Sequence, residues 1–358
     1  MTKVLLDYPH QMGGHCGSGA LRDLLHWAEL GWGGPPTEGL VFALSGALDF
    51  AYLRSPSLRP PIYLVGRGGT LELDLPRRLD APVELRSTDD AATGWDWIRS
   101  ELDAGRPALA WADIAELPYL RVRLRMSRHD IVIIGYDDAA EIVYVVDNDR
   151  ADIQEVPYAA LARARSSTSF PEPTRHSTYF INWPDTLPDL SSVAADAFAQ
   201  AAATLADSDR QAIASPDTDA ITGVGVGGVE VFADDLAVWP AVFPAAQLDQ
   251  ILLGLAAFIE KAGTGGGLFR RLLSDGCATI ATQTADDATR QLAHDARHSA
   301  DAWTATATRA ADTTTDPQRR AADCAQLAAT LVALESKLVE SLLKAHQSLD
   351  PAIRAPHS

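Results

Sequence analysis

A proline-bearing stretch at 183–192 (WPDTLPDLSS) separates two kinds of sequence, and this division narrows the available folds more than any other feature. Before it, short β-branched runs alternate with helical segments. Residues 61–65 (PIYLV), 107–111 (PALAW), 131–136 (IVIIGY), 142–147 (IVYVVD) and 177–182 (STYFIN) read as strands. The polar connection 137–141 joins two of them as a hairpin. After the stretch, alanine-rich segments at 193–206, 247–262, 284–310 and 317–346 read as helices. In the last of these, Leu327, Leu331, Leu334, Leu338 and Leu342 step by fours and threes, the stripe of a bundle helix, and Pro317 sits where a first-turn proline is tolerated. The expected fold is α+β without regular βαβ alternation, in two domains: 1–183, and an all-α domain at 184–358.

A length of 358 residues suits two cores. The 48 acidic and 30 basic residues leave a net charge of -18, which opposes general binding to nucleic acid or to an anionic membrane. No apolar run approaches the roughly 18 residues of a membrane span, and the N-terminus lacks the pattern of a secretory signal. Cys16, Cys277 and Cys324 are odd in number and scattered, which argues against a disulfide framework or a zinc site. The expectation is a cytoplasmic protein with reduced thiols, without a bound metal or cofactor.

Cys16 follows Gly13 and Gly14 and opens a helix whose Leu21, Leu24, Leu25 and Ala28 share one face. A helix N-terminus favours thiolate over thiol, and its free N–H groups can stabilise an oxyanion. A thiolate nucleophile needs a base, and the base needs an orienting acceptor. His129 opens the strand IVIIGY and Asp147 ends the next one, so a hairpin brings the two together. Asn148 is the alternative orienter and His176 the substitute base. His10 and His15 flank the cysteine, while His26 reads as a helix histidine. Gln11 is a candidate oxyanion donor. The glycines at 263–267, before Phe269 and Arg270, read either as a phosphate cradle or as an ordinary C-cap and turn.

The N-terminal half resembles the butirosin biosynthesis protein H family. The resemblance rests on GGHCGSGALRDLL at 13–25, TEGLVFALSGALDF at 37–50, LVGR at 64–67, ADIAELPY at 112–119, RHDIVIIGYDD at 128–138 and VYVVDNDR at 143–150. It implies a papain-like fold, with Cys16 as acyl acceptor, His129 as base and Asp147 as its orienter. It also implies aminoacyl transfer from a carrier-protein thioester to the amine of a small molecule. Glu38, Asp113 and Tyr119 fall within its motifs and are candidates for substrate binding. FIEKAGTGGGLFRRLL at 258–273 and Trp303 resemble the helical domain often joined to this family.

The leading expectation is therefore a cysteine acyltransferase. Its donor would be a phosphopantetheine thioester, on an acyl carrier protein or coenzyme A, and its acceptor a small-molecule amine. A peptidase or amidase with the same triad is the second reading, and a non-catalytic assembly protein the third. A homo-oligomer is expected through the helical half.

Overall fold

A computed structural model describes residues 2–211, 217–350 and 353. The strands are β1 (Lys3–Leu5), β2 (Leu48–Arg54), β3 (Ile62–Arg67), β4 (Val83–Arg86), β5 (Ala108–Ala112), β6 (His129–Asp137), β7 (Ile142–Val146), β8 (Gln154–Pro157), β9 (Thr178–Ile181) and β10 (Ile221–Val224). The helices are α1 (Cys16–Trp27), α2 (Glu38–Ser45), α3 (Leu71–Arg78), α4 (Ala91–Asp103), α5 (Tyr158–Arg165), α6 (Leu190–Ala206), α7 (Gly225–Val242), α8 (Ala245–Glu260), α9 (Arg270–Thr284), α10 (Asp287–Ala310) and α11 (Pro317–Leu349). The α+β expectation holds.

The chain forms two compact units, one of residues 1–38 and 72–187 and the other of 39–71 and 188–358. The crossing at 187/188 lies close to the expected boundary at 183/184. Residues 39–71, read from sequence as part of the first domain, group instead with the second unit. The second unit is also not all-α: β2 and β3 pair with each other and with β10 in a three-stranded antiparallel sheet. The run expected as a strand at 61–65 is β3, whereas β10 was hard to read because it is four residues long and runs into the glycines that begin α7.

In the first unit, an antiparallel sheet runs in the order β4-β9-β5-β6-β7-β8, with β1 also pairing with β6. Strand β6 is the centre, and residues 130–136 are buried without a polar break except Asp130. That continuous burial is why an unbroken apolar run, rather than an alternating one, marks it in sequence. Ile131 and Ile133 share one face and pack with Val143 and Val145 of β7, Ile98 and Leu102 of α4, and Leu161 of α5. Each such fully buried side chain contributes about 1.5–3 kcal/mol.

In the second unit, α11 buries Ala321, Cys324, Ala328, Leu331, Glu335, Leu338, Leu342, Ala345 and Leu349, alternating threes and fours along the whole helix. Leu331, Leu338 and Leu342 are inaccessible as expected, whereas Leu327 and Leu334 lie only half-buried. Asp316 caps the helix by accepting from the N–H groups of Gln318 and Arg319, with Pro317 in the first turn. The acidic intruder in the stripe, Glu335, accepts from Arg270, Ser299 and Trp303. The indole of Trp303 stacks on Phe50 and Phe232. The helix expected at 284–310 is α10, which begins at Asp287 once Ala285, in the left-handed region, has ended α9 and Asp286 has capped the restart.

The glycine-rich turn at 263–267 is built as a connection rather than a phosphate cradle. Gly266 N–H donates to Thr264, Gly267 N–H to Glu260, Leu268 N–H to Ile259 and Phe269 N–H to Thr264. Arg270 is fully buried against Glu335 and is not available to an anion.

Candidate active site

The loop before α1 is shaped by a carboxylate. Glu38 accepts from the N–H groups of Gly14 and His15, both at 2.8 Å, and from the Ser18 hydroxyl at 3.0 Å. Its carboxylate lies so close to Gly13 that a Cβ there would stand 3.1 Å from it. The His15 ring then folds forward as the helix cap, with Nδ1 accepting from Ser18 N–H at 3.1 Å. Cys16 follows as the first helical residue, 9% exposed. The leucines at 21, 24 and 25 anchor the helix, and Ala28, followed by Glu29 in the left-handed region, ends it before the expected stop at Gly31 to Pro36.

His129 begins β6, opposite Ala112 of β5. The β6–β7 register pairs Val132 with Val146, so Asp147, one step further, comes opposite Ile131. It thus lies on the face of His129, as its diagonal neighbour. The imidazole Nε2–H donates to Asp147 Oδ2 at 2.8 Å, and the carboxylate is inaccessible to solvent. With Nε2 engaged there, Nδ1 remains for the sulfur, and Cys16 and His129 lie close enough to influence each other's ionisation.

The electrostatics fit an ion pair. Burial alone would push the Cys16 thiol up, but His15 and His129 together bring it well below its ordinary value. Burial alone would likewise lower His129, yet Asp147 and the Cys16 sulfur hold it well above an ordinary imidazole. Asp147, in turn, is raised by burial but brought below the usual carboxylate range by His129 and by the Tyr119 hydroxyl. A thiolate and an imidazolium facing each other is the resting state of an activated cysteine nucleophile.

The structure thus brings Cys16, His129 and Asp147 together. The other sequence candidates have different surroundings. Tyr119 donates to Asp147 Oδ2 at 2.7 Å, which makes it a support of the acid rather than a group held out for substrate. Asp113 is fully buried and capped by its own turn, accepting from Ala115 N–H, Met126 N–H and the Ser167 hydroxyl. Glu38 grips the cysteine loop. Gln11 is exposed, its N–H held by Asp23 and its carbonyl by Arg22. Asn148 exchanges hydrogen bonds with Gly13, carbonyl to N–H and amide to carbonyl, so it fastens the loop and does not orient the base. His176 packs over Gly94, and burial, followed by Arg165, lowers it below an ordinary imidazole. His26 lies towards the other end of α1, where it lines a cavity of about 620 Å³ with Tyr8, Trp27 and Leu30.

Two neighbours of the sulfur were not singled out from the sequence. Asp130 Oδ2 is 3.7 Å from Cys16 Sγ. His15, which flanks the cysteine in sequence, also acts on its sulfur. Its position one residue before a helix, three before Ser18, is the spacing of a cap, and that signal could have turned the ring towards the first turn. Glu72 lies beside the same turn, over Gly17, and pairs with Arg128 at 3.6 Å. Among the described residues, no group of three or more His, Cys, Asp or Glu side chains could hold a metal ion, and no helix is long and apolar enough to cross a membrane.

Two family profiles match the chain. The first, described as butirosin biosynthesis protein H, N-terminal, covers residues 15–148, a span that includes Cys16, His129 and Asp147. The second, a domain of unknown function (DUF4872), covers residues 159–342, more than half of the chain. No curated protein matches it.

Proposed function

Given that this chain belongs to the butirosin biosynthesis protein H N-terminal family and carries the DUF4872 domain joined to it, we propose that it is a cysteine-dependent acyltransferase of papain-like design. The family is associated with butirosin biosynthesis, which points to a biosynthetic enzyme. The observation that carries the finer reading is the 2.8 Å bond from His129 to Asp147, on a histidine that also lies close to the cysteine at the start of α1.

In this reading the Cys16 thiolate attacks the carbonyl of a phosphopantetheine thioester. The tetrahedral oxyanion is held by N–H groups at the start of α1, which precede the first intrahelical bond, Gly19 N–H to His15 O. The intermediate collapses, the carbon–sulfur bond to the donor breaks, and the imidazolium of His129 gives its proton to the departing thiolate. The acyl group now sits on Cys16. A small-molecule amine attacks it, neutral His129 takes the proton from the attacking nitrogen, and collapse to the amide releases Cys16 as thiolate beside a renewed imidazolium. The donor is carried by coenzyme A or an acyl carrier protein. The exposed Arg121, Arg123 and Arg125, in a chain of charge -18, support an acidic carrier.

Intact-protein mass spectrometry with a panel of acyl thioesters tests this, comparing the native chain with Cys16→Ala. The expected result is an acyl mass gain on Cys16 that is absent from the variant and clears when amines are added. Clearance by water at the same rate would make the chain a hydrolase, and no adduct with any donor would rule out acyl transfer.

A further inference from the structure

His10 lies in the loop between β1 and α1 and takes no part in the acyl transfer just described. Its ring is nearly inaccessible, at 8% exposure. Nδ1 stands 2.8 Å from Asp23 Oδ2 and Nε2 stands 2.7 Å from the carbonyl oxygen of Arg150. A backbone carbonyl can only accept a hydrogen bond, so Nε2 carries a proton. Both oxygens of Asp23 already receive other donors, Oδ1 the Arg22 guanidinium at 2.8 Å and Oδ2 the N–H of Gln11 at 3.4 Å. It too can only accept, so Nδ1 also carries a proton. An imidazole that donates from both nitrogens is a cation.

The two acceptors belong to the two arms of the candidate site. Asp23 lies on α1, the helix that begins at Cys16, and Arg150 lies three residues beyond Asp147. We propose that His10, as a buried imidazolium, is a positioning residue that holds the nucleophile helix against the segment bearing Asp147. The assignment rests on the acyl-transfer reading of Cys16 and deepens it. Other bonds cross the same seam: Gly13 N–H to Asn148 O at 2.9 Å and Asn148 Nδ2 to Gly13 O at 3.2 Å. None of these bonds depends on an imidazole proton, whereas the His10 clamp does.

The groups that face the ring are Asp23 and Arg22 from α1 and the Arg150 carbonyl from the segment after β7, with Tyr8 buried beside Asp23 and Arg22. Burial by itself lowers His10, but Asp23 and the Arg150 carbonyl outweigh burial and Arg22 and raise it above an ordinary imidazole. A raised value means that the clamp is fully present below about pH 6.5 and is lost as pH rises through the folded value.

The test uses the full chain in two measurements. Nitrogen-15 NMR of labelled histidines reads the charge of His10 directly, and both ring nitrogens should be protonated at pH 7. The pH dependence of Cys16 alkylation by iodoacetamide is then compared between the native chain and His10→Gln. The neutral glutamine cannot reproduce both donations, so the apparent value for Cys16 should rise by about one unit and alkylation below it should slow about tenfold. His10→Arg, a permanent cation with several donors, should recover part of that loss. A neutral His10 ring at pH 7 would overturn the proposal, as would a folded His10→Gln chain whose Cys16 titrates like the native one. A native Cys16 that resists alkylation at neutral pH would count against the acyl-transfer reading instead. The clamp would still be decided by the charge of His10 and by amide exchange at 148–150 in His10→Gln.

Discussion

The phenol of Tyr119 donates to Oδ2 of Asp147 at 2.7 Å, the same oxygen that receives His129. Asp147 is buried and Tyr119 partly so, and burial of the phenol, with Asp147 beside it, holds it above its ordinary value, so it stays a donor across the working pH range.

From this bond follows the behaviour of Tyr119→Phe. The ring fills the same space, and only one charge-assisted hydrogen bond is lost, worth about 1.5 kcal/mol. The turnover number should fall about tenfold with KM for the amine nearly unchanged, as steady-state kinetics would show. A raised KM at constant turnover would instead make Tyr119 a substrate contact.

Cysteine selectivity checks the electrostatics. Burial pushes Cys324 up to about 12 and Cys277 higher still, whereas Cys16 is brought down by its two histidines. The thiolate exists above the depressed value of Cys16, and the imidazolium below the raised value of His129. The pair therefore occupies the window between them. Mass spectrometry after brief iodoacetamide treatment at pH 6 should find the label on Cys16 alone. His129→Ala should slow that labelling at least about tenfold at pH 6 and hardly at all at pH 10. Equal labelling of all three cysteines would contradict the ion pair.

Arg270 and Glu335 are both fully buried and bonded twice, at 2.9 Å. Glu335→Leu strands the guanidinium and should cost about 3–5 kcal/mol in urea unfolding. Joined with Arg270→Met, much of that cost should be recovered, since neither charge is then left buried alone. A double variant as unstable as the sum of the two singles would show that these groups act independently.

The grouping of Cys16, His129 and Asp147 was legible because each sits at the end of an element with a strong sequence signal. Cys16 opens a periodic helix, His129 opens an unbroken apolar run, and Asp147 closes its hairpin partner. The strand pattern also came through where strands are central, as in β5, β6 and β7. It failed for β4 and β8, four-residue strands with exposed positions that carry too little alternation to rise above a loop. The supporting residues were misread for a different reason. Glu38, Asp113 and Tyr119 are polar residues in quoted motifs, and a motif says that a group is needed without saying whether it faces a ligand or a backbone amide. Heptad spacing on α11 was read one step off at Leu327 and Leu334, because alanine, cysteine and glutamate hold positions that a leucine count passes over.

The division of the second unit between 39–71 and 188–358 bears on how the chain is made. Arg54 of β2 bonds Asp235 of α7 across 181 positions, so the β2–β3 hairpin leaves the ribosome long before the helices that bury it. During that interval Phe50, Tyr52 and Leu53 have nothing of their own unit to cover them, and the first unit must complete its sheet with this hairpin held as an unfinished insertion. A cut at 183/184 would leave the C-terminal half without β2 and β3, so the sheet of the second unit can form only when both pieces are present.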